Sequence, residues 1–327
     1  MKVFEERTGI IKKAEYESIS PNGEMLLFDI ETTGLKKETT RLYLIGCGYF
    51  DDGEFVIRQW LTSCASDERA ALEDFFEFAR GFSVLVHFNG DGFDIPYIAY
   101  KADHYGLNNT ISSLESVDIY KCFRPYKKHF GLERANQTAV EAFLGIDRED
   151  EMNGGLLIPY YYQYERTASL EAQSLLLLHN HDDVLGMLKM FPAMYYGLAF
   201  SGGFEFESLD LADSVMIIDL KSMFTLPKAL ETERGPFSLY AEDDLIQLNC
   251  SIKDGYVKVP VREYKDYYYF PQEDMIVHKD VAVFANRRHR RRASKDDCFL
   301  KEDINSACWS DSSFIKQYAL KVLQFLI

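Results

Sequence analysis

Between residues 25 and 195 the apolar positions change period repeatedly, and each change marks an element. Residues 25–30 and 42–50 are dense in leucine, isoleucine and aromatic side chains and read as strands. EFVIRQW, residues 54–60, follows the turn DDG at 51–53 and predicts a third strand, so that the three form an antiparallel meander. Residues 66–81 begin with Ser66 and two acids and end at Gly81, which predicts a helix. A short apolar strand over 83–88 follows, then a helix over 94–106 with Asp94 as its cap and Pro96 in its first turn. A strand over 116–120 and a helix over 137–145, closed by Gly145, come next. A long helix over 169–191 stops at Pro192.

This order gives a mixed sheet with helices packed on it, an α/β fold. GLAFSGGFEFES, around Gly202 and Gly203, reads as a linker. Beyond it the period becomes strand-like in DLIQLNCSI, a turn at KDG and YVKVPV, which predicts a second, smaller β-containing domain. The expected organisation is an N-terminal extension over 1–24, the mixed-sheet domain over 25–198 and a C-terminal domain over 199–327. A length of 327 residues suits two domains. The amphipathic ending SSFIKQYALKVLQFLI is expected to pack on its own domain.

Composition narrows the classes. No apolar run is long enough to cross a bilayer and the N-terminus does not read as a signal peptide. Six scattered cysteines without a CxxC pair suggest reduced thiols, hence a cytoplasmic setting with no membrane partner. A net charge of −16 argues against passive, charge-driven binding of nucleic acid. It leaves room for an enzyme whose substrate phosphates meet cations and a local basic strip. Two such strips exist, Lys121 to Arg134 and Arg287 to Lys295.

The stretch LLFDIETTGL carries Asp29 and Glu31 inside an apolar strand. Residues two apart on a strand share a face, so the two carboxylates project together. An ionised carboxylate buried without a partner is costly, and two side by side call for a cation. Oxygen ligands of this kind suit Mg²⁺ or Mn²⁺. HFNGDGFDIPYI places Asn89 in a turn and Asp94 at the start of a helix. HNHDDV places His179 and Asp183 on one helical face. Taken singly, each stretch also reads as ordinary structure: solvated acids at a strand end, a turn with a helix cap, a surface His–Asp pair.

Together the three form an ordered set. Asp-x-Glu, Asn-x4-Asp and His-x3-Asp resemble the motifs of the DnaQ-like 3′–5′ exonuclease superfamily with four acidic ligands, within the RNase H-like fold. YLIGCGYFDDGEF, EAFLGIDRED and HNHDDVLGM look similar to the YprB-type ribonuclease H-like family. The resemblance covers residues 25 to about 195. It implies that Asp29, Glu31, Asp94 and Asp183 hold two divalent ions, Mg²⁺ or Mn²⁺, for phosphodiester hydrolysis. Asp182 fits less well than Asp183, because its partner one turn earlier is Leu178. His179 takes the place of a tyrosine found in one branch, which makes it the candidate general base, with His181 as a second candidate.

The resemblance also implies that Thr32, Thr33, Gly34 and Leu35 contact the terminal nucleotide, with Asn89 and Phe93 on the opposite wall. Arg124, Lys127 and Lys128 follow the strand at 116–120 and are candidates for tracking phosphates. The expected function is a metal-dependent nuclease acting from a 3′ end on single-stranded or frayed DNA or RNA. A structure-selective endonuclease, and a nucleic-acid-binding scaffold with a decayed site, are the alternatives. Arg287–Arg292 reads either as a nucleic-acid contact or as a solvated helix face, and the aromatics of YKDYYYFPQED either as core or as a stacking platform.

Overall fold

The computed structural model describes residues 1–12, 16, 24–150, 152 and 154–327. Residues 13–15 and 17–23 of the extension expected over 1–24 lie outside the described residues. The chain forms two compact units: 1–124 with 134–193, and 125–133 with 194–327.

In the first unit the apolar runs become β2 (Met25–Thr32), β3 (Leu42–Asp51) and β4 (Glu54–Leu61), paired antiparallel as the meander requires. β5 (Val84–His87) and β6 (Glu115–Asp118) extend the sheet in parallel from β2. β1 (Lys2–Ile11) closes the opposite edge against β4, so the sheet order is β1-β4-β3-β2-β5-β6. The sequence gave no strand signal at β1 because its side chains are mostly exposed and charged, as befits an edge.

Helix α1 (Asp67–Ala79) covers one face. Its Phe75 stacks on Phe28 at 5.3 Å, and Trp60 meets the same ring edge-on at 5.8 Å. Helix α2 (Asp94–Tyr105) adds Tyr97, Ile98 and Ala102 to this core. The short helix α3 (Ile119–Phe123) and helix α4 (Gln137–Leu144) follow. Helix α5 (Gly154–Thr167) was not expected, since Pro159 and a run of tyrosines obscure it. Leu157, Tyr161 and Tyr164 are nevertheless spaced for one helical face, and they pack on Tyr43, Leu44 and Leu61. Helix α6 (Leu170–Lys189), capped by the Ser169 hydroxyl, lies across β2, β3 and β4. It ends before Pro192, which sits in the first turn of a separate helix, α7 (Phe191–Phe200).

The close crossing of α6 over β3 is made possible by two glycines. A Cβ on Gly46 would lie 2.0 Å from Asn180 Oδ1, and one on Gly48 would lie 2.8 Å from Val184 Cγ1. Neither separation is tolerable, so the sequence GCG is the seat of the helix.

The second unit carries a five-stranded antiparallel sheet in the order β14-β10-β9-β8-β7. Its strands are β7 (Phe204–Ala212), β8 (Val215–Arg234), β9 (Phe237–Lys253), β10 (Tyr256–Pro260) and β14 (Phe299–Asp303). Helix α9 (Ser312–Leu326), which follows the single-turn helix α8 (Lys279–Ala282), packs its apolar stripe on this sheet, as its amphipathic pattern indicated. A small sheet, β12-β11-β13, joins β11 (Tyr267–Phe270), β12 (Met275–His278) and β13 (Arg291–Arg292). The arginine run is therefore a short 3₁₀ turn and a strand, not a helix face. The stretch read as a linker at Gly202 and Gly203 is a tight turn between α7 and β7.

Candidate metal centre

β2 delivers Asp29 and Glu31 to one face at its C-terminal end, the end where open sheets leave a crevice. After β5 the chain turns through Asn89, held left-handed at φ +58°, and enters α2 at Asp94. Phe93 takes the cap position, so Asp94 is the first helical residue rather than the cap. α6 brings His179 and Asp183 from above the sheet. Ligand atoms of Glu31, His179 and Asp183 all lie within 4.8 Å of one another. His179 Nε2 is 3.3 Å from Glu31 Oε1 and 3.4 Å from Asp183 Oδ2.

Each group is held by a further residue. Asn180 Nδ2 donates to Asp29 Oδ2 at 2.8 Å, and Asn180 is itself fixed by Gln59 at 2.9 Å. Arg148 donates to Asp183 Oδ1 at 2.8 Å and to Glu141 at 3.0 Å, leaving Asp183 Oδ2 facing His179. His179 Nδ1 bonds a carboxylate oxygen of Asp150, which directs Nε2 into the cluster. The Tyr43 hydroxyl lies 3.4 Å from Glu31 Oε2.

The electrostatics are those of acids short of positive charge. Burial raises Glu31 to about 8, with the charge of Asp183 adding to it and that of His179 opposing. Burial also raises Asp94 to about 7, against the backbone amides of Asp94 and Ile30, while the Asp183 charge pushes the same way as burial. Asp29 is pushed well above the carboxylate range by burial and then by Asp183, Asp94 and Glu31, and Asn180 opposes this. Asp183 is raised by burial in spite of His179 and Arg148. For His179 burial works downward, but Asp183, Glu31 and Asp150 outweigh it and the net shift is upward.

This donor set fits hard divalent cations. Four desolvated carboxylates repel one another, and an ion between them reverses that penalty. The wall opposite Glu31 is cut back to make room. A Cβ on Gly154, at the start of α5, would stand 3.2 Å from Glu31 Oε2 and 3.6 Å from His179 Nε2.

A model of the RNase H superfamily matches residues 26–195, over half of the chain. The chain belongs to the RNase H superfamily. Two curated relatives agree with this. The DNA polymerase 1 of Aeropyrum pernix is 37% identical over 57 residues, which is 17% of this chain and 6% of that protein. The PolC-type DNA polymerase III of Caldanaerobacter subterraneus subsp. tengcongensis is 30% identical over 134 residues, 33% of this chain and 9% of that protein. The chain thus spans a small part of the curated relatives it matches. Among solved structures, the family B DNA polymerase of Pyrobaculum calidifontis aligns with a TM-score of 0.41 at 16% identity, over 66% of this chain and 33% of that one.

Within the RNase H superfamily fold, the remaining candidates fall in different places. Thr32 and Thr33 shape the turn after β2: Thr32 Oγ1 donates to Gly34 O at 2.9 Å, and Thr33 Oγ1 accepts from the Arg41 amide at 2.9 Å. Gly34 has φ +151° with Thr40 Cγ2 close by, and Leu35 is 83% exposed. Asn89 is exposed and its amide bonds Asp118. Phe93 packs partly on the core beside Tyr97 at 5.5 Å. Arg124 stands over the Tyr120 ring at 5.8 Å in the first unit, whereas Lys127 and Lys128 belong to the second. His181 turns to Asp182 and Glu6, away from the acid cluster. Asp182 accepts the backbone amides of Glu149 and Asp150 and so secures the loop that carries Asp150.

Sequence reasoning missed Asp150, Arg148, Asn180 and Tyr43. Asp150 and Arg148 lie in IDRED, a loop whose spacing to His179 carries no periodic signal. Asn180 had one usable sign, its place directly after His179 on the helix that crosses GCG.

Proposed function

We propose that the first unit is a metal-dependent nuclease that hydrolyses phosphodiester bonds from the 3′ end of a single-stranded or frayed nucleic acid. The observation that carries this reading is the convergence of Glu31, His179 and Asp183 donor atoms within 4.8 Å, beside Asp29 and Asp94. Superfamily membership and the partial likeness to DNA polymerases support it.

Asp29, Glu31, Asp94 and Asp183 would hold two divalent ions, Mg²⁺ or Mn²⁺. Bound there, such ions acidify the attacking water, offset charge on the phosphoryl oxygens and stabilise the leaving 3′ oxygen. The chain supplies the rest. His179 Nε2 takes the proton of the water whose oxygen attacks phosphorus as the bond to the 3′ oxygen breaks. Asp150 holds the Nδ1 side so that Nε2 is the free basic atom. Asn180 and Arg148 fix one oxygen each of Asp29 and Asp183, which leaves the other oxygen of each as a ligand. The surrounding acids keep His179 too basic for this role until their charge is offset, which ties the base to the loaded site. The turn Thr32–Leu35 and Asn89 would flank the terminal nucleotide.

Digestion of 5′-labelled and 3′-labelled DNA and RNA oligonucleotides in Mg²⁺, Mn²⁺ or EDTA tests the proposal. A ladder shortening from the 3′ end, lost in EDTA, is expected. Discrete internal cuts would replace it with an endonuclease. Tight binding without cleavage would replace it with a scaffold.

A further inference from the structure

Residues 287–292 are five arginines and one histidine, in a chain whose net charge is −16. The run starts in a 3₁₀ turn, where the Asn286 side chain accepts the Arg288 amide, and continues into β13. β13 pairs with β11 so that Arg292 faces Tyr268 and Arg291 faces Tyr269. The guanidiniums of Arg290 and Arg292 stand 4.5 and 4.6 Å from the centre of the Tyr268 ring, and that of Arg291 stands 4.7 Å from Tyr269. Tyrosine faces, not carboxylates, hold these cations.

Their charge is largely uncompensated. Arg291 pairs with Asp297, but among the described residues no salt bridge reaches Arg287, Arg288, Arg290 or Arg292. Nε and Nη1 of Arg290 have no hydrogen-bond acceptor. Asp266, beside this sheet, is already paired with Lys279. Just before the run, Phe284 is 90% exposed, with Val281 and Val283 also on the surface.

We propose that Arg287, Arg288, Arg290 and Arg292, with Tyr268 and Phe284, form a binding surface for a single strand of DNA or RNA on the second unit. Guanidinium forks match phosphate oxygens, and a planar guanidinium braced on a ring also offers a base a stacking face. The Phe284 ring stands free in solvent, and only unpaired bases can lie flat on it. A duplex would use the charges and leave the aromatic idle. An anionic membrane needs neither planar cations nor rings braced behind them. The proposal requires no cleavage and stands apart from the nuclease reading.

Fluorescence anisotropy of the full chain with labelled oligothymidylate, in EDTA and over a series of salt concentrations, tests it. Arg287→Gln with Arg288→Gln should weaken binding about tenfold and flatten the slope of log K against log salt by about 1.4, roughly 0.7 per phosphate released. Phe284→Ala should weaken binding about tenfold with the slope kept. Lys221→Gln with Lys253→Gln removes as much charge elsewhere on the unit and should change little. Arg287 and Arg288 make no ion pair, so a normal thermal midpoint is expected for that variant. Unchanged affinity in the arginine variant overturns the proposal. So does an equal loss in the lysine control, or wild-type binding to phosphatidylserine vesicles with none to the oligonucleotide. Binding without cleavage would sink only the nuclease reading, and cleavage with normal binding by the arginine variant would sink only this one.

Discussion

In the first unit four carboxylates converge under a helix, desolvated and repelling one another; in the second, four arginines stand at the surface without acidic partners. Both are uncompensated charge, but they differ in cost. Burial raises every acid in the cluster, so the fold gives up stability to keep them there. The arginines remain in contact with water and cost the fold little. A costly arrangement points to function more strongly than an inexpensive one. The acid cluster therefore carries the main reading, and the arginine surface needs its braced geometry as well as its charge.

The largest effect expected on the acid side is that of Asp183→Asn. It should reduce cleavage at least about 10²–10³-fold, read from initial rates on a labelled oligonucleotide, because a ligand and its charge vanish together. Retained cleavage would detach the cluster from the chemistry. His179→Gln should lower the rate about 10²-fold, and Asp150→Asn by less, since it removes only the group that orients the ring. Equal losses for the two would mean that they act as one unit.

Packing gives the next effect. Gly46→Ala drives a methyl into Asn180, which fixes Asp29. It should destabilise the protein by about 1–3 kcal/mol in urea unfolding.

The pH dependence of the metal-free protein follows from the shifts. Glu31 at about 8 and Asp94 at about 7 bind protons in the fold that the unfolded chain sheds near its ordinary carboxylate values. Stability in EDTA should therefore fall as pH rises from about 4 to about 8. His179 acts in the same direction, since its raised value stabilises the fold at low pH and that contribution is lost above it. The thermal midpoint at pH 8 should lie at least about 3 °C below that at pH 5, and Mn²⁺ should close the gap. Smallest of all, Arg287→Gln with Arg288→Gln should change stability by less than about 0.5 kcal/mol. A larger loss would show that the exposed strip is not inexpensive.

Much of the first unit was legible because its signals are local. The meander, α1, α2 and α6 each carry their own period and end signals. Asp29, Glu31, Asp94, His179 and Asp183 stand in motifs whose short spacing fixes which face they share. What escaped depends on distant partners. Asp150 matters only because Asp182 holds its loop against α6, and β1 is a strand only because β4 offers an edge. α5 was hidden by Pro159, and Pro192 was read as the end of one helix when it opens another. The assignment of residues 125–133 to the second unit has no local signature.

Manganese soaked into crystals of the full chain and located by its anomalous scattering tests the central claim most directly. The account requires ions within about 2.2 Å of carboxylate oxygens from Asp29, Glu31, Asp94 and Asp183, with Asp183→Asn losing occupancy. Manganese absent from this cluster, or bound only at surface acids, would contradict it.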